Sequence, residues 1–290
     1  MEYRHVDGKL PPLTPWNAFK HRIKSALGLD DLERLYKYPF LTTKTRSCPI
    51  CGGRGYYEHT NTCTALDRCE NCGHVYSRKV PGRFILRRMY GDFEYWIADK
   101  KHQGIEMVEE GSHWSVFLDA RIGIIEKVGL LSTTPQHFYE IGCSEGILLK
   151  ELQNRGHIAR GCEMNESIAK KGSEQLGIEI DTALFEDLDI ETDTYDAVLS
   201  FHTIEHLVDP KLVLAKIAGI LKPDGVVLIE VPCGPEEYDN TDHLQFFCKE
   251  SLLGLLDNYF EQSDIIENRY TNEKGIEITS LYGIGRVPLT

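Results

Sequence analysis

The stretch FYEIGCSEGILLKEL, residues 138–152, decides the fold. Its opening residues are apolar except for Glu140 and predict a buried β-strand. Gly142 and Gly146 follow, and the apolar spacing after them predicts an amphipathic helix. A strand that turns at glycines into a helix is the first unit of an α/β sheet, where ligands bind beside that turn. The turn is therefore the first candidate for a binding site.

Length and composition limit what this site can belong to. The chain has 290 residues, enough for one α/β domain and a smaller unit. It has no run of about 18 apolar residues and no signal-peptide pattern at its N-terminus, so we expect a soluble, cytoplasmic protein without membrane contacts. Residues 1–90 carry 16 Lys and Arg against 8 Asp and Glu, whereas the other 200 carry 16 against 37. This asymmetry fits two mutually attracting surfaces as well as a basic patch for an anionic substrate.

Four of the nine cysteines form two C-x-x-C pairs. Each pair is followed by a glycine, Gly52 or Gly73, which relieves the tight turn that brings two thiolates onto one ion. The spacing predicts a structural Zn²⁺ site with a closed shell of four ligands. Its predicted ligands are Cys48, Cys51, Cys69 and Cys72. Basic residues surround this ribbon and favour either a solvated face or a docking surface: Arg46, Arg54, Arg68, Arg78, Lys79, Arg83, Arg87 and Arg88.

The remaining pattern divides the chain into four parts. We predict a helical N-terminal extension over 1–45, the zinc ribbon over 46–82, a helical lid or linker over 83–135 and an α/β domain over 136–290. In the last part, seven short apolar strands alternate with helices, which predicts a doubly wound, mostly parallel sheet. The last two strands have no helix between them and should form a hairpin, so that the last strand is antiparallel. Predicted strands are 137–142, 158–163, 178–182, 195–201, 225–231, 262–268 and 276–285, with helices near 145–155, 166–176, 210–221 and 249–259.

The second strand adds a ligand group to the glycine turn. It ends in Glu163, about 20 residues beyond the turn, where a carboxylate can accept both hydroxyls of a ribose. A nicotinamide cofactor would fit this feature alone. Glu140, however, would repel a pyrophosphate and suits a cationic amino-acid group. Together these residues point to S-adenosylmethionine.

Four motifs, YEIGCSEG, GCEMNESIAKK, LFEDLDIETDTYDAVLSFHTIEHLVDP and LAKIAGILKPDGVVLIEVP, occur in order. They resemble the successive motifs of class I S-adenosylmethionine-dependent methyltransferases over residues 137–285. The resemblance implies a Rossmann-like, seven-stranded methyltransferase fold. It departs from the family at Glu140, where Asp is usual, and at Ser144, which replaces a middle glycine.

The resemblance also implies roles for residues at the cofactor. Glu140 would orient the amino-acid end, which the turn would cradle, and Glu163 would bind the ribose. Phe185 and Glu186 would flank the adenine. The implied cofactor-binding set is Glu140, Gly142, Cys143, Ser144, Gly146, Glu163, Met164, Phe185, Glu186, Ser200 and His202.

Imidazoles gather after the fourth strand of this domain. His202 and His206 are four residues apart and should share a face of a helical turn, with Glu205 beside them and His243 at the same edge of the sheet. His206 or His243 is predicted to act as general base, or neither does and Glu205 and His206 chiefly anchor the loop. A divalent metal is a further alternative, because these four residues resemble the metal-binding motif of small-RNA 2′-O-methyltransferases, with His202 in place of a Glu.

An N-terminal ribbon fused to such a domain resembles the sugar C-methyltransferases, although the sequence has no room for their further C-terminal domain. We therefore expect a small-molecule, sugar or glycan acceptor beneath a lid that contains Tyr90, Tyr95, Trp96 and Arg121. An RNA methyltransferase that uses the basic N-terminal part is one alternative. A non-catalytic zinc-ribbon module on a methyltransferase fold is another. The acceptor atom and the oligomeric state stay open.

Overall fold

The structure is a computed structural model that describes residues 46–61, 64–82, 86–87, 90, 114–240, 242–271 and 277–289. The predicted N-terminal extension and the lid aromatics Tyr95 and Trp96 lie outside these residues. No helix in the described ranges is both long and apolar enough to cross a membrane.

Two β-sheets and five α-helices make up the described part of the chain. The small sheet contains β1 (Gly55–Thr60), β2 (Ala65–Cys69), β3 (Val75–Ser77) and β9 (Gln245–Phe246). The large sheet contains β4 (His137–Ile141), β5 (Ile158–Cys162), β6 (Ile180–Asp181), β7 (Tyr195–Phe201), β8 (Leu221–Cys233), β10 (Phe260–Thr271) and β11 (Glu277–Pro288). The helices are α1 (Trp114–Lys127), α2 (Ile147–Asn154), α3 (Glu166–Leu176), α4 (Pro210–Ile220) and α5 (Lys249–Leu256).

The large sheet has the order β10-β11-β8-β7-β4-β5-β6. Strands β4 to β8 run parallel to one another, whereas β11 is antiparallel to both β8 and β10. The predicted mostly parallel, seven-stranded sheet with an antiparallel last strand is confirmed. Several boundaries differ by a few residues. Gly146 has a left-handed backbone with φ 76°, so α2 begins at Ile147 rather than at residue 145, and β8 begins at Leu221 rather than at residue 225.

The central strands are buried on both faces, as their continuous apolar sequences require in a parallel sheet. Side chains alternate along each strand, so Tyr139 and Val198 pack on one face while Phe138 and Leu199 pack on the other. The first face is covered by α4 and α5, together with the apolar side of the ribbon at Tyr76. The second is covered by α1 and α2. The carboxyl ends of the parallel strands are thereby left to form a site.

The small sheet joins two distant parts of the sequence. Its first three strands come from the predicted zinc ribbon, and its fourth, β9, comes from the α/β part of the chain and pairs with β3. The domain boundaries drawn from the sequence remain predictions. The observed pairing means that the ribbon is packed onto the α/β part through a shared sheet.

Candidate active site

The turn between β4 and α2 has an unusual backbone. Gly142, Ser144 and Gly146 have φ values of 73°, 52° and 76°. The backbone N–H groups of Gly142 and Cys143 both donate to the carbonyl of Cys162, at 2.9 and 3.0 Å, so the turn is held against the end of β5. A left-handed conformation is costly for a serine, and such strain concentrates at binding sites. The turn is therefore built as a rigid cradle.

Glu163 connects this cradle to the second strand. Its Oε2 accepts from Ser144 N at 3.1 Å and its Oε1 accepts from Asn165 N at 2.8 Å. Burial raises the pKa of the Glu163 carboxyl, and the backbone donors oppose that shift. The carboxylate is thus fixed at the rim of the turn by two main-chain hydrogen bonds.

Glu140 gives the clearest indication that this site binds a ligand. The residue is 2% exposed, and its Oε2 has no hydrogen-bond partner in the described part of the chain. Burial raises the pKa of Glu140 to about 7, with Arg121 acting in the opposite direction. The buried Oγ of Ser200 on β7 also lacks a partner among these residues. A ligand with an ammonium group and a carboxylate would satisfy both the Glu140 acceptor and the Ser200 donor, so the residues fit the amino-acid end of S-adenosylmethionine.

The other predicted cofactor-binding residues lie at the same edge of the sheet and differ in how exposed their side chains are. Phe185 is 3% exposed, and its ring lies 5.9 Å from that of Tyr139 and 5.0 Å from Lys216 Nζ. Cys143 is 5% exposed. Met164 and Glu186 are half-buried. Phe185 is thus packed inwards, whereas Met164 and Glu186 have exposed surface.

Gly172 is a residue of this site that the motifs did not indicate. It lies on α3, and a Cβ there would meet the carbonyl oxygen of Glu145 at 2.1 Å. Gly172→Ala must therefore push the cradle away from α3, because backbone cannot yield as a flexible side chain can. We expect a loss of about 1–3 kcal/mol in unfolding free energy, together with weaker binding of S-adenosylhomocysteine by calorimetry.

A helical glycine elsewhere gives the matched control. Gly219 lies on α4, and a Cβ there would meet nothing within 4 Å. Gly219→Ala should leave S-adenosylhomocysteine binding unchanged and stabilise the protein by about 0.5–1 kcal/mol. Equal losses of stability in the two variants would contradict the role assigned to Gly172.

The loop after β7 corrects one prediction. His202 has a left-handed φ of 50° and precedes a 3-10 turn, Ile204–His206, so it does not share a helical face with His206. Its Nδ1 lies 3.4 Å from Glu205 Oε1, and its Nε2 lies 3.5 Å from Glu230 Oε1. Burial alone would lower the pKa of His202, but the two carboxylates raise it well above its ordinary value. The two carboxylates therefore hold the His202 imidazolium between the 3-10 turn and β8.

This ion cluster predicts a pH-dependent stability. Burial opposes the shift, but contact with His202 lowers the pKa of both Glu205 and Glu230. The contribution of the carboxylates is complete above their ordinary pKa of about 4.3, and that of His202 is complete below about 6.5 and is lost as pH rises through its raised value. The melting temperature of the wild type should exceed that of His202→Gln most between about pH 4.5 and 6.5. If the difference in melting temperature between the two proteins does not become smaller in alkaline buffer, this assignment is contradicted.

His206 and His243 face Glu205 from the other side. The Nε2 of His206 lies 3.9 Å from Glu205 Oε1, and its Nδ1 lies 3.0 Å from the carbonyl of Asp242. A carbonyl only accepts, so in the neutral ring this contact favours the tautomer with the proton on Nδ1 and the lone pair on Nε2. The rings of His206 and His243 are 4.9 Å apart, and His243 Nδ1 lies 3.4 Å from Glu237 Oε2.

The loop that carries His202, Glu205 and His206, which together with His243 form the imidazole cluster, contacts the cradle directly. The hydroxyl of Thr203 donates to the carbonyl of Ile141 at 3.3 Å. A Cβ on Gly142 would meet Thr203 Oγ1 at 2.3 Å. The loop that carries His202, Glu205 and His206 therefore packs against the start of the cradle.

The four predicted zinc ligands also come together. The Sγ atoms of Cys48 and Cys72 are 3.6 Å apart, and those of Cys51 and Cys69 are 3.4 Å apart. All four Sγ atoms lie within 4.8 Å of one another. Tetrahedral Zn²⁺ with Zn–S bonds of about 2.3 Å separates its sulfurs by about 3.8 Å, so this donor set fits the ion. His59 and His74, which lie nearby in sequence, bond elsewhere, to Asp239 and Gln245 respectively.

Several residues of the site escaped sequence reasoning. Glu230, Glu237 and Asp242 all contact the imidazoles. Glu230 lies in the last of the four motifs but was given no role, whereas Glu237 and Asp242 lie outside them. Only Glu230 gave a usable signal, as a carboxylate at the carboxyl end of an apolar strand.

Comparison with known protein families agrees with this geometry. Residues 139–229 match the family described as "Methyltransferase domain". Over this stretch the chain is similar to a methyltransferase domain. The match begins on β4 and ends on β8, so it contains the cradle, Glu163 and the loop with His206.

Curated relatives are similar over part of their length. A ubiquinone biosynthesis O-methyltransferase of Coxiella burnetii is 30% identical over 95 residues, which are 31% of this chain and 41% of the relative. The enzyme of the same name from Pasteurella multocida is 28% identical over 165 residues, 43% of this chain and 68% of the relative. The chain thus spans less than half of the length of the first of these relatives.

Solved structures share the fold. A phosphoethanolamine N-methyltransferase 2 of Haemonchus contortus, in complex with phosphomonomethylethanolamine and S-adenosylhomocysteine, has a TM-score of 0.55 and 14% identity, and covers 74% of this chain and 63% of its own. An S-adenosylmethionine-dependent methyltransferase of Thermotoga maritima has a TM-score of 0.51 and 19% identity, and covers 68% of this chain and 99% of its own. At these identities the likeness establishes the fold.

Proposed function

We propose that the protein is an S-adenosylmethionine-dependent methyltransferase that acts on a small-molecule acceptor, with a sugar or glycan-type acceptor as a special case. The contact between the cradle and the imidazole cluster, through Thr203 and Gly142, carries the proposal. It places groups that can bind the cofactor next to groups that can accept a proton. Bound S-adenosylmethionine would supply an electrophilic methyl group on a sulfonium.

The cofactor-binding roles follow from the donors and acceptors of the site. Glu140 and Ser200 would accept from and donate to the amino-acid end, since both have buried polar atoms without partners in the described residues. Glu163 would bind the ribose. Residues 142–146 would approach the cofactor with their backbone, and Met164, Phe185 and Glu186 would complete the adenine side.

Proton transfer is assigned to His206. Its Nδ1–H is engaged by the carbonyl of Asp242, so Nε2 is the atom that can take a proton from an acceptor hydroxyl. Glu205 lies 3.9 Å from this nitrogen and would stabilise the imidazolium that forms. His243 is the second candidate base. Burial lowers its pKa to about 3, which keeps its ring neutral at physiological pH.

A small acceptor is favoured over RNA because three arginines of the basic segment are paired with carboxylates within the protein. Arg68 is paired with Glu58, Arg78 with Asp67 and Arg87 with Asp187. Arginines that are neutralised within the protein contribute little to counterion release on nucleic acid. The names of the curated relatives also favour a small molecule. Location in the cytoplasm stays a prediction of the sequence.

Methyl transfer from labelled S-adenosylmethionine tests the proposal. Label should enter a pool of small phenols, catechols and sugars, at a rate that changes little between low and high salt. Label that enters total RNA instead, with a rate that falls steeply as salt rises, would favour the RNA methyltransferase. Absence of S-adenosylhomocysteine binding by the folded protein would favour the non-catalytic module.

We also propose that Cys48, Cys51, Cys69 and Cys72 hold a structural Zn²⁺. Their sulfur separations support a closed tetrahedral site, which has no position for a substrate. Metal analysis of the purified protein should give one zinc per chain. Cys51→Ser should lower that content, whereas His59→Gln should not.

The imidazole cluster supports a second candidate role, which is to bind a divalent cation beside the methyl acceptor. Ligand atoms of Glu205, His206 and His243 lie within 4.8 Å of one another, and both carboxylate oxygens of Glu205 are buried without a hydrogen-bond partner in the described residues. Titration with Mn²⁺, followed by its electron paramagnetic resonance signal, tests this role. Binding that is lost in His243→Gln and kept in His59→Gln would support it, and absence of binding would leave proton transfer to His206 alone.

A further inference from the structure

Part of the contact between the zinc ribbon and the α/β part of the chain lies beside the imidazole cluster. Strand β3 pairs with β9, which begins two residues after His243. Ser77 extends this pairing, because its N–H donates to the carbonyl of Leu244 at 3.0 Å. Leu244 N–H in turn donates to the carbonyl of Glu205 at 2.9 Å. A continuous path of main-chain hydrogen bonds therefore runs from the ribbon to the backbone of Glu205, whose side chain belongs to the cluster.

Arg46 strengthens this path with a single side chain. It lies two residues before Cys48, and its Nε donates to the carbonyl of Ser77 at 2.9 Å. Its Nη1 donates to the carbonyl of Val208 at 2.8 Å, and its Nη2 to that of Leu244 at 3.1 Å. Val208 is two residues after His206, and Leu244 directly follows His243. The planar guanidinium fixes its donors in one plane, so it sets the spacing between the two segments that carry the imidazoles.

His74 makes a second link from the other C-x-x-C pair. It lies two residues after Cys72 and is fully buried. Its Nε2 is 3.0 Å from Gln245 Oε1, and Gln245 Nε2 donates to the carbonyl of Leu207 at 2.7 Å. Leu207 directly follows His206. Each of the two cysteine pairs is thus followed or preceded, within two residues, by a side chain that leads to the cluster.

We propose that the ribbon is an internal brace of the imidazole cluster, and that Arg46 and His74 are positioning residues that hold His206 and His243 in register. The inference rests on the proposed function only in taking this cluster as the place of chemistry. It assigns the ribbon a role within the protein and makes the two segments, residues 204–208 and 242–245, a single unit with it.

Histidine NMR of the full, zinc-loaded chain tests the proposal without an acceptor. With ¹⁵N-labelled histidine, long-range ¹H–¹⁵N spectra report the tautomer of each ring, and His206→Gln and His243→Gln assign the two signals. The wild type should show His206 protonated at Nδ1. In Arg46→Met this pattern should be lost and the His243 signals should shift, while S-adenosylhomocysteine affinity by calorimetry stays unchanged.

Arg78 offers a matched control, because it pairs with Asp67 inside the ribbon and bonds neither imidazole segment through its side chain. Arg78→Met should lower the melting temperature and leave both histidine patterns intact. Unchanged histidine signals in Arg46→Met, or equal changes in the two variants, would overturn the proposal. If Arg46→Met does not fold, Gln245→Met decides, because it removes the amide link between His74 and the carbonyl of Leu207 and should shift the His206 signals. Failure of the wild type to bind S-adenosylhomocysteine would sink the proposed function and not this inference.

Discussion

Glu163→Ala is expected to abolish measurable binding of S-adenosylhomocysteine while the protein stays folded. A hydrogen bond to a charged group contributes about 1.5–3 kcal/mol, so the loss of two ribose contacts weakens affinity by a factor of about 100 or more. The carboxylate also accepts from Ser144 N and Asn165 N, and its removal leaves both main-chain donors without their acceptor. The cradle should therefore loosen as well. Calorimetry with S-adenosylhomocysteine measures the effect.

Two further variants separate these causes. Glu163→Gln keeps the size of the side chain and one oxygen acceptor but loses the charge, so its affinity should lie between those of the wild type and Glu163→Ala. Glu166→Ala removes an exposed carboxylate from the first turn of α3, the helix that follows Glu163, and should bind as the wild type does. Wild-type affinity in a folded Glu163→Ala would contradict the assignment of this edge of the sheet as the cofactor site.

The large sheet and its cradle could be predicted because their signals are local. Apolar strands such as β7, the glycines at 142 and 146, and the carboxylate at the end of β5 each declare themselves within a few residues. The cluster around Glu205 was predicted only in part. Its first members follow β7 directly, whereas Glu237 is brought in by a 3-10 turn, Pro235–Asp239, that has no periodicity to read.

The union of ribbon and α/β part could not be predicted. Strand β9 has two residues, too few to show an alternation, and the contact of His74 with Gln245 spans 171 residues of sequence. The role of Gly172 could not be predicted for the same reason, because a Cβ there is excluded by the backbone of Glu145, which approaches it only in the folded protein. Pairings between distant segments depend on the packed fold, and one sequence gives no record of them.

Removal of the proposed ribbon zinc is expected to have the second large effect. Structural zinc contributes about 10–16 kcal/mol to folding in isolated zinc-finger peptides, although part of the ribbon here is also held by the shared sheet. If about 4 kcal/mol of this is lost, the melting temperature of a domain of this size falls by about 10 °C. Cys51→Ser, or a zinc chelator, should produce this drop in a calorimetric scan.

The pattern of losses distinguishes a structural zinc from a catalytic one. The cradle and Glu163 bond to the end of β5 and to α3, so S-adenosylhomocysteine should still bind to the zinc-free protein below its new melting temperature. Methyl transfer should nevertheless fall, because β9 and Arg46 no longer fix the segments that carry His206 and His243. Cys248→Ser is the control, since serine is a preferred residue at the helix N-cap that Cys248 occupies. A zinc-free protein with wild-type stability and activity would show that the four thiols need no metal.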